Sequence, residues 1–125
     1  MLRLAVYRFI SEGQAFIPVN AIGKGDVVQL IYMDGSTQLV DVQAETFLKH
    51  VLAYFGAELK PLRKRYGSAI GKKQLVPLPL SRNWTLIPFI TREAIGRQSR
   101  TGWFVFSMIR RFQEIAPQET KLYLQ

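Results

Sequence analysis

Residues 27–56 read VVQLIYMDGSTQLVDVQAETFLKHVLAYFG, and this stretch decides the fold class. Alternating apolar residues over Val27–Met33 predict a strand. Asp34-Gly35 is the strongest hairpin signal in the chain, because both residues tolerate the positive φ angles of a tight turn. The hairpin is completed by a second predicted strand, Thr37–Val42.

The second half of the same stretch has the spacing of an amphipathic helix. Apolar residues recur every three or four positions over residues 43–55, and Gly56 is a natural helix stop. We therefore predict an α+β fold, a mainly antiparallel β-sheet with one amphipathic helix at about 43–55. The apolar positions of this helix are Ala44, Phe47, Leu48, Val51, Leu52 and Phe55.

Outward from this unit, most of the chain has strand-like composition. Leu2–Ile10 mixes β-branched and aromatic residues and is predicted to be a strand, followed by a turn over Ser11–Gln14. Residues 57–73 are predicted to form a short helical turn and a basic loop, because Pro61, Gly67 and Gly71 disfavour a long helix. Further strands are predicted at Ala15–Val19, Gln74–Leu80, Thr85–Ile90 and Trp103–Phe112, with an edge strand or tail at Lys121–Leu124.

Two of these strands have predicted places in the sheet. Pro77 and Pro79 cannot donate ladder hydrogen bonds, so the strand that contains them belongs at an edge. Trp103–Phe112 is apolar on both faces, which favours a central strand covered on both sides.

Length and composition limit the class of protein. A chain of 125 residues is expected to form a single domain over 1–125. The absence of cysteine excludes disulfides and thiolate metal sites. No apolar run approaches the roughly 18 residues of a membrane helix. Arg8 and Glu12 interrupt any signal-peptide pattern near the start. We expect a cytoplasmic protein.

The positive charge is concentrated in one segment. Residues 57–111 carry twelve basic and two acidic side chains, net +10, whereas the whole chain carries +8. A local field of this strength attracts phosphates and makes affinity salt-dependent. The alternative, a basic surface that serves only solubility, stays open.

Nine side chains of this segment are predicted to contact DNA. The first cluster lies over 60–73, where flanking glycines let backbone amides approach phosphates. A polar loop over 91–102 contains arginines that can enter a narrow A·T-rich minor groove. Only one of Arg110 and Arg111 can join such a surface, because adjacent strand residues point to opposite faces. The nine are Lys60, Arg63, Lys64, Arg65, Lys72, Lys73, Arg82, Arg97 and Arg100.

No set of residues has the pattern of a catalytic or metal site. His50 is the only histidine, and no second ligand type clusters with it. The carboxylates are scattered, without a spacing suited to acid–base chemistry. We therefore expect neither enzymatic activity nor a cofactor.

Several short motifs follow one another along most of the chain. They are Leu39-Val40-Asp41, Tyr54-Phe55-Gly56, Arg65-Tyr66-Gly67, Gly71-Lys72-Lys73, Leu75-Val76-Pro77-Leu78, Asn83, Leu86-Ile87-Pro88-Phe89 and Gly102-Trp103. In this order the chain resembles the ComK family of competence transcription factors. Thr101 stands where familiar members have a cysteine before Gly-Trp. The family's long C-terminal portion, which is associated with binding a proteolytic adaptor, is mostly absent.

The resemblance implies sequence-specific binding of A/T-rich duplex DNA through the minor groove, as a homo-oligomer that regulates transcription. It leaves the proteolytic adaptor open as a partner. Two alternatives come from the residues themselves. A single-stranded nucleic-acid or RNA-binding β domain would stack bases on Tyr66, Trp84 and Trp103. A protein-interaction module would dock a partner at its edge strands.

Overall fold

A computed structural model describes the backbone of residues 2–70, 76–93, 96–116 and 119–124. Among these residues there are three α-helices, α1 (Leu2–Glu12), α2 (Ala44–Tyr54) and α3 (Leu59–Ile70), and one 3-10 helix at Phe106–Met108. The strands are β1 (Gly13–Ala21), β2 (Gly25–Tyr32), β3 (Thr37–Val40), β4 (Leu78–Ser81), β5 (Trp84–Ile90), β6 (Thr101–Val105), β7 (Ile109–Ala116) and β8 (Glu119–Leu124).

Six of the strands form one antiparallel sheet in the order β3-β2-β1-β6-β5-β4, and β7 pairs separately with β8. This confirms the predicted α+β class with a mainly antiparallel sheet. The predicted hairpin is present as β2 and β3, with Gly35 at φ +84 in its turn. The strand that contains Pro79 lies at a sheet edge, as predicted.

The core lies between the sheet and the first two helices. Phe9 of α1, Phe16 of β1 and Phe47 of α2 pack edge to face, with ring centroids 5.0–5.9 Å apart. All three rings are fully buried. The predicted helix is confirmed as α2, which ends at Tyr54 with Phe55 as its C-cap, before Gly56 at φ +70.

The N-terminal segment is a helix, and the prediction of a strand at Leu2–Ile10 is wrong. Its buried residues are Ala5, Val6 and Phe9, a spacing of three and four that places them on one helical face. The predicted turn over 11–14 is also wrong, because α1 continues to Glu12 and β1 begins at Gly13. At Gly13 a Cβ would collide with the ring and carbonyl oxygen of Phe9, so glycine permits this abrupt change.

The basic segment begins as a helix of 12 residues, α3, and not as the predicted short turn and loop. Pro61 is the third residue of α3, within the first turn, where backbone N–H groups have no intrahelical acceptor to lose. Gly67 is buried inside the helix, where it costs only about 1 kcal/mol relative to alanine.

The predicted strand Trp103–Phe112 is two strands. β6 ends at Val105, and the 3-10 helix Phe106–Met108 separates it from β7. The predicted central position holds for β6, which lies between β1 and β5. Trp103 and Phe104 point to opposite faces and both are buried, so this strand is covered on both sides.

In the described part of the chain, no helix combines the length and apolar character needed to cross a membrane.

Replacing Phe9 with alanine tests the importance of the aromatic contacts. We expect the free energy of unfolding to fall by about 3–5 kcal/mol, because a large cavity opens between α1, β1 and α2. Leu4→Ala on the exposed face of the same helix is the matched control, with an expected change within about 0.5 kcal/mol. Urea denaturation measures both values. Equal losses in the two variants would contradict the assignment of α1 to the core.

Candidate nucleic-acid interface

A cleft of about 290 Å³ lies among α2, α3 and the segment that joins β5 to β6. It brings together three of the nine predicted DNA contacts, Arg63 from α3 and Arg97 and Arg100 from the connecting segment. Buried Trp103 also lines the cleft. Side chains far apart in the sequence thus form one concave, arginine-rich surface.

The connecting segment is held in place by Arg92. Its Nη2 donates to Asp26 Oδ1 at 2.6 Å, and its Nε donates to the Ser99 carbonyl oxygen at 2.8 Å. The two charged side chains are only 14% and 8% exposed. At the base of the segment, the Thr91 N–H donates to the Arg100 carbonyl oxygen at 2.8 Å. Arg92 therefore has a structural role, and the arginines beside it lie on an anchored segment.

A second contact ties the same segment to the β1–β2 hairpin. Asn20 Nδ2 donates to Gln98 Oε1 at 3.3 Å. Asn20 faces Asp26 across the hairpin, so both contacts occur at one register position. The cleft is therefore positioned by the hairpin as well as by the helices.

Arg63 makes one long ion pair at the cleft. Its Nη1 is 4.0 Å from Glu45 Oε1, and the two side chains are 37% and 51% exposed. Such an exposed, long pair contributes little, about 0–1 kcal/mol. Its Nε is buried without a hydrogen-bond partner among the described residues. Because the ion pair is long and exposed, the outer nitrogens of the Arg63 guanidinium can still donate to an anionic ligand.

Two lysines extend the basic surface along α3. Lys60 and Lys64 are exposed, and Arg63 and Lys64 follow Lys60 by three and four residues, so the three side chains share one face of the helix. Arg65 is also exposed and lies over the ring of Tyr66, 5.5 Å from its centroid. The helix thus arranges consecutive basic residues as a basic strip along α3, beside the cleft.

The predicted contact Arg82 lies away from the cleft, and two others cannot be placed. Arg82 is exposed in the turn between β4 and β5 and does not line it. Lys72 and Lys73 lie outside the described residues, and Arg110 is exposed on β7.

Both tryptophans have structural environments. Trp84 is partly buried and stacks on Phe55 at 5.2 Å between ring centroids. Trp103 is only 3% exposed, so its faces are not available for stacking with bases. The single-strand alternative therefore loses two of its three proposed platforms.

Besides Thr101, four polar lining residues of the cleft were absent from the predicted contacts. They are Gln43, Glu45, Gln98 and Ser99. None has a local motif, and only the packing of α2 near α3 brings the first two to the arginines. His50 is exposed on α2 and lines a different groove, with Tyr7 and Tyr54. No cluster of metal-ligating side chains occurs in the described ranges.

The fold and cleft define an α+β domain with an arginine-lined surface. No protein-family model matches the chain, and neither the curated proteins nor the solved structures contain a significant match. The resemblance to the ComK family therefore stays a prediction from the sequence.

Breaking the Arg92–Asp26 pair tests how the segment is anchored. Asp26→Ala or Arg92→Ala should each lower the free energy of unfolding by about 3 kcal/mol, because each leaves a largely buried charge uncompensated. The double variant should lose less than the sum of the two, as a double-mutant cycle measures. Glu12→Ala, which breaks the exposed Arg8–Glu12 pair, is the control and should change stability by less than about 1 kcal/mol. Additive losses would contradict a direct coupling.

Proposed function

We propose that this protein binds duplex DNA through the arginine cleft and the adjoining face of α3, and that it acts as a transcription regulator. The cleft arginines, Arg63, Arg97 and Arg100, contact phosphates and the groove edge. Lys60 and Lys64 neutralise phosphates along the neighbouring backbone. The observation that carries the proposal is the convergence of basic side chains from two distant segments on one concave surface.

The charges support a polyanionic ligand. Three arginines line the cleft against a single carboxylate, Glu45, and that carboxylate makes only a long ion pair. Arginine is suited to phosphate because its planar guanidinium can donate two parallel hydrogen bonds. An extended strip beside the cleft favours a ligand longer than one phosphate, since Lys60 and Lys64 continue the basic surface along α3.

The burial and packing of the tryptophans favour duplex DNA over single strands as the ligand. Binding of single strands without sequence preference depends on exposed aromatic faces. Trp103 is buried and Trp84 is stacked on Phe55, which leaves Tyr66 as the remaining proposed platform. Recognition of A/T-rich sites is part of the proposal and depends on the sequence resemblance together with Arg97 and Arg100.

Neutralising the cleft arginines should weaken DNA binding and its dependence on salt. We expect Arg63→Gln, Arg97→Gln and Arg100→Gln each to reduce affinity by about tenfold at low salt, the equivalent of about 1.4 kcal/mol. The slope of log K against log salt should fall by about 0.9 per lost phosphate contact. Fluorescence anisotropy with a labelled duplex at several salt concentrations measures both quantities.

Arg3→Gln is the matched control, because it removes the same charge from α1, which does not line the cleft. Its affinity and salt slope should stay close to those of the unaltered protein. Equal effects of Arg3→Gln and Arg97→Gln would indicate a response to net charge alone. Absence of duplex binding at low salt would refute the proposed function.

Removal of the negative charge of Glu45 is expected to raise DNA affinity, the opposite of the arginine variants. Its carboxylate lies in the cleft and repels phosphate, so Glu45→Gln should raise DNA affinity by a few-fold. Glu12→Gln removes the same charge from α1 and is the control. The same anisotropy titration measures the change. Weaker binding by Glu45→Gln would show that the phosphates do not approach this cleft.

Sequence preference is tested by selecting bound sites from random duplexes. An enriched A/T-rich consensus is the expected result for a sequence-specific regulator. Recovery of random sequences would leave only non-specific binding of polyanions.

A further inference from the structure

The hairpin that joins β1 to β2 ends in an apolar side chain that is fully exposed to solvent. Ile22 has a relative exposure of 105%, the highest among the exposed large hydrophobic residues of the described chain. The Lys24 N–H donates to the Ala21 carbonyl oxygen at 3.0 Å and closes the turn. Gly23 and Gly25 have φ of +78 and +76, and no atom lies within 4 Å of where a Cβ on either would be. The tip therefore projects from the body of the protein.

This tip lies beside the basic connecting segment. Asn20 and Asp26, which face each other across the hairpin, contact Gln98 and Arg92 respectively. Asn20 is two residues from Ile22, a separation of at most about 7 Å between Cα atoms. Gln98 also lines the cleft with Arg97 and Arg100. The hairpin that carries the apolar tip therefore contacts the same segment that carries two of the cleft arginines.

The charges around the tip suit the approach of DNA. Asp26 is the only carboxylate of the hairpin strands, and the guanidinium of Arg92 neutralises it at 2.6 Å. Lys24, in the same turn as Ile22, is exposed, and Arg97 and Arg100 are exposed on the adjoining segment. The protruding isoleucine thus has one exposed cation in its own turn and two more on the segment that the hairpin contacts.

We propose that Ile22 is a wedge that inserts between neighbouring base pairs of the bound duplex. The inference rests on the proposed function and adds the deformation of the DNA to it. Proteins that insert an apolar side chain such as isoleucine at a base step unstack it and bend the duplex by about 20–90°. The exposed apolar side chain gains burial from the insertion, and Lys24 and Arg100 hold the flanking phosphates.

The side chain of Ile22 is not required for folding. It is fully exposed, and the turn is closed by backbone atoms and by the conformations of Gly23 and Gly25. Ile22→Ala should therefore melt at the same temperature as the unaltered protein. This makes the variant a clean probe of a role in binding.

Base unstacking gives a direct measurement. A series of A·T-rich duplexes carries 2-aminopurine, whose fluorescence rises when it is unstacked, at successive positions. At saturating unaltered protein we expect enhanced fluorescence at one or two positions, together with bending seen by energy transfer between dyes at the duplex ends. Ile22→Ala should lose most of the enhancement and the bend while it still binds at low salt.

Two further variants complete the experiment. Ile22→Leu keeps an apolar wedge and should retain the fluorescence and the bend. Leu4→Ala removes a similar exposed apolar side chain from α1 and should leave both unchanged. Duplex binding in which Ile22→Ala behaves like the unaltered protein would overturn the wedge and leave the proposed function standing. Failure of the unaltered protein to bind duplex at low salt would overturn both.

Discussion

Edge-to-face packing of Phe9, Phe16 and Phe47 connects the elements on which the rest of the structure depends. Phe16 belongs to β1, which pairs with β2 on one side and β6 on the other. Such aromatic pairs contribute about 0.5–1.5 kcal/mol beyond the burial of their surface. Because β1 also runs into the hairpin tip and α2 supplies Glu45, the same contact orients both sides of the candidate interface.

The elements predicted correctly from the sequence are those with a clear turn signal or a single repeat spacing of apolar residues. The Asp34-Gly35 hairpin and the helix 44–54 have unambiguous turn chemistry or spacing, and local signals are enough to define them. Leu2–Ile10 combines strand-forming residues with a helical arrangement of buried positions, and tertiary packing of Phe9 decides between them. In α3, the position of Pro61 within the first turn removes its usual penalty, and this depends on where the helix begins.

The sequence predicted which segment carries the positive charge of the candidate site. It did not predict which of those side chains come together in the cleft. Arg92 and Arg97 belong to the same polar segment, yet one is anchored to a carboxylate and the other lines the cleft. The difference comes from Asp26, which is 66 positions away in the sequence. Glu45 and Gln98 have no local signal, because each belongs to the cleft only through the packing of separate elements. Ile22 was likewise indistinguishable from a strand-end residue until its exposure was known.

The anchoring of Arg92 also affects the entropy of binding. A loop that becomes ordered only in a complex loses backbone freedom, at about 1–2 kcal/mol for each residue fixed. Here Arg92 and Thr91 already hold the ends of the connecting segment through hydrogen bonds to Ser99 and Arg100. A ligand at the cleft meets a preorganised surface, so more of the contact energy is available as affinity. Part of this ordering cost is met during folding by the Arg92–Asp26 ion pair, which does not itself line the cleft.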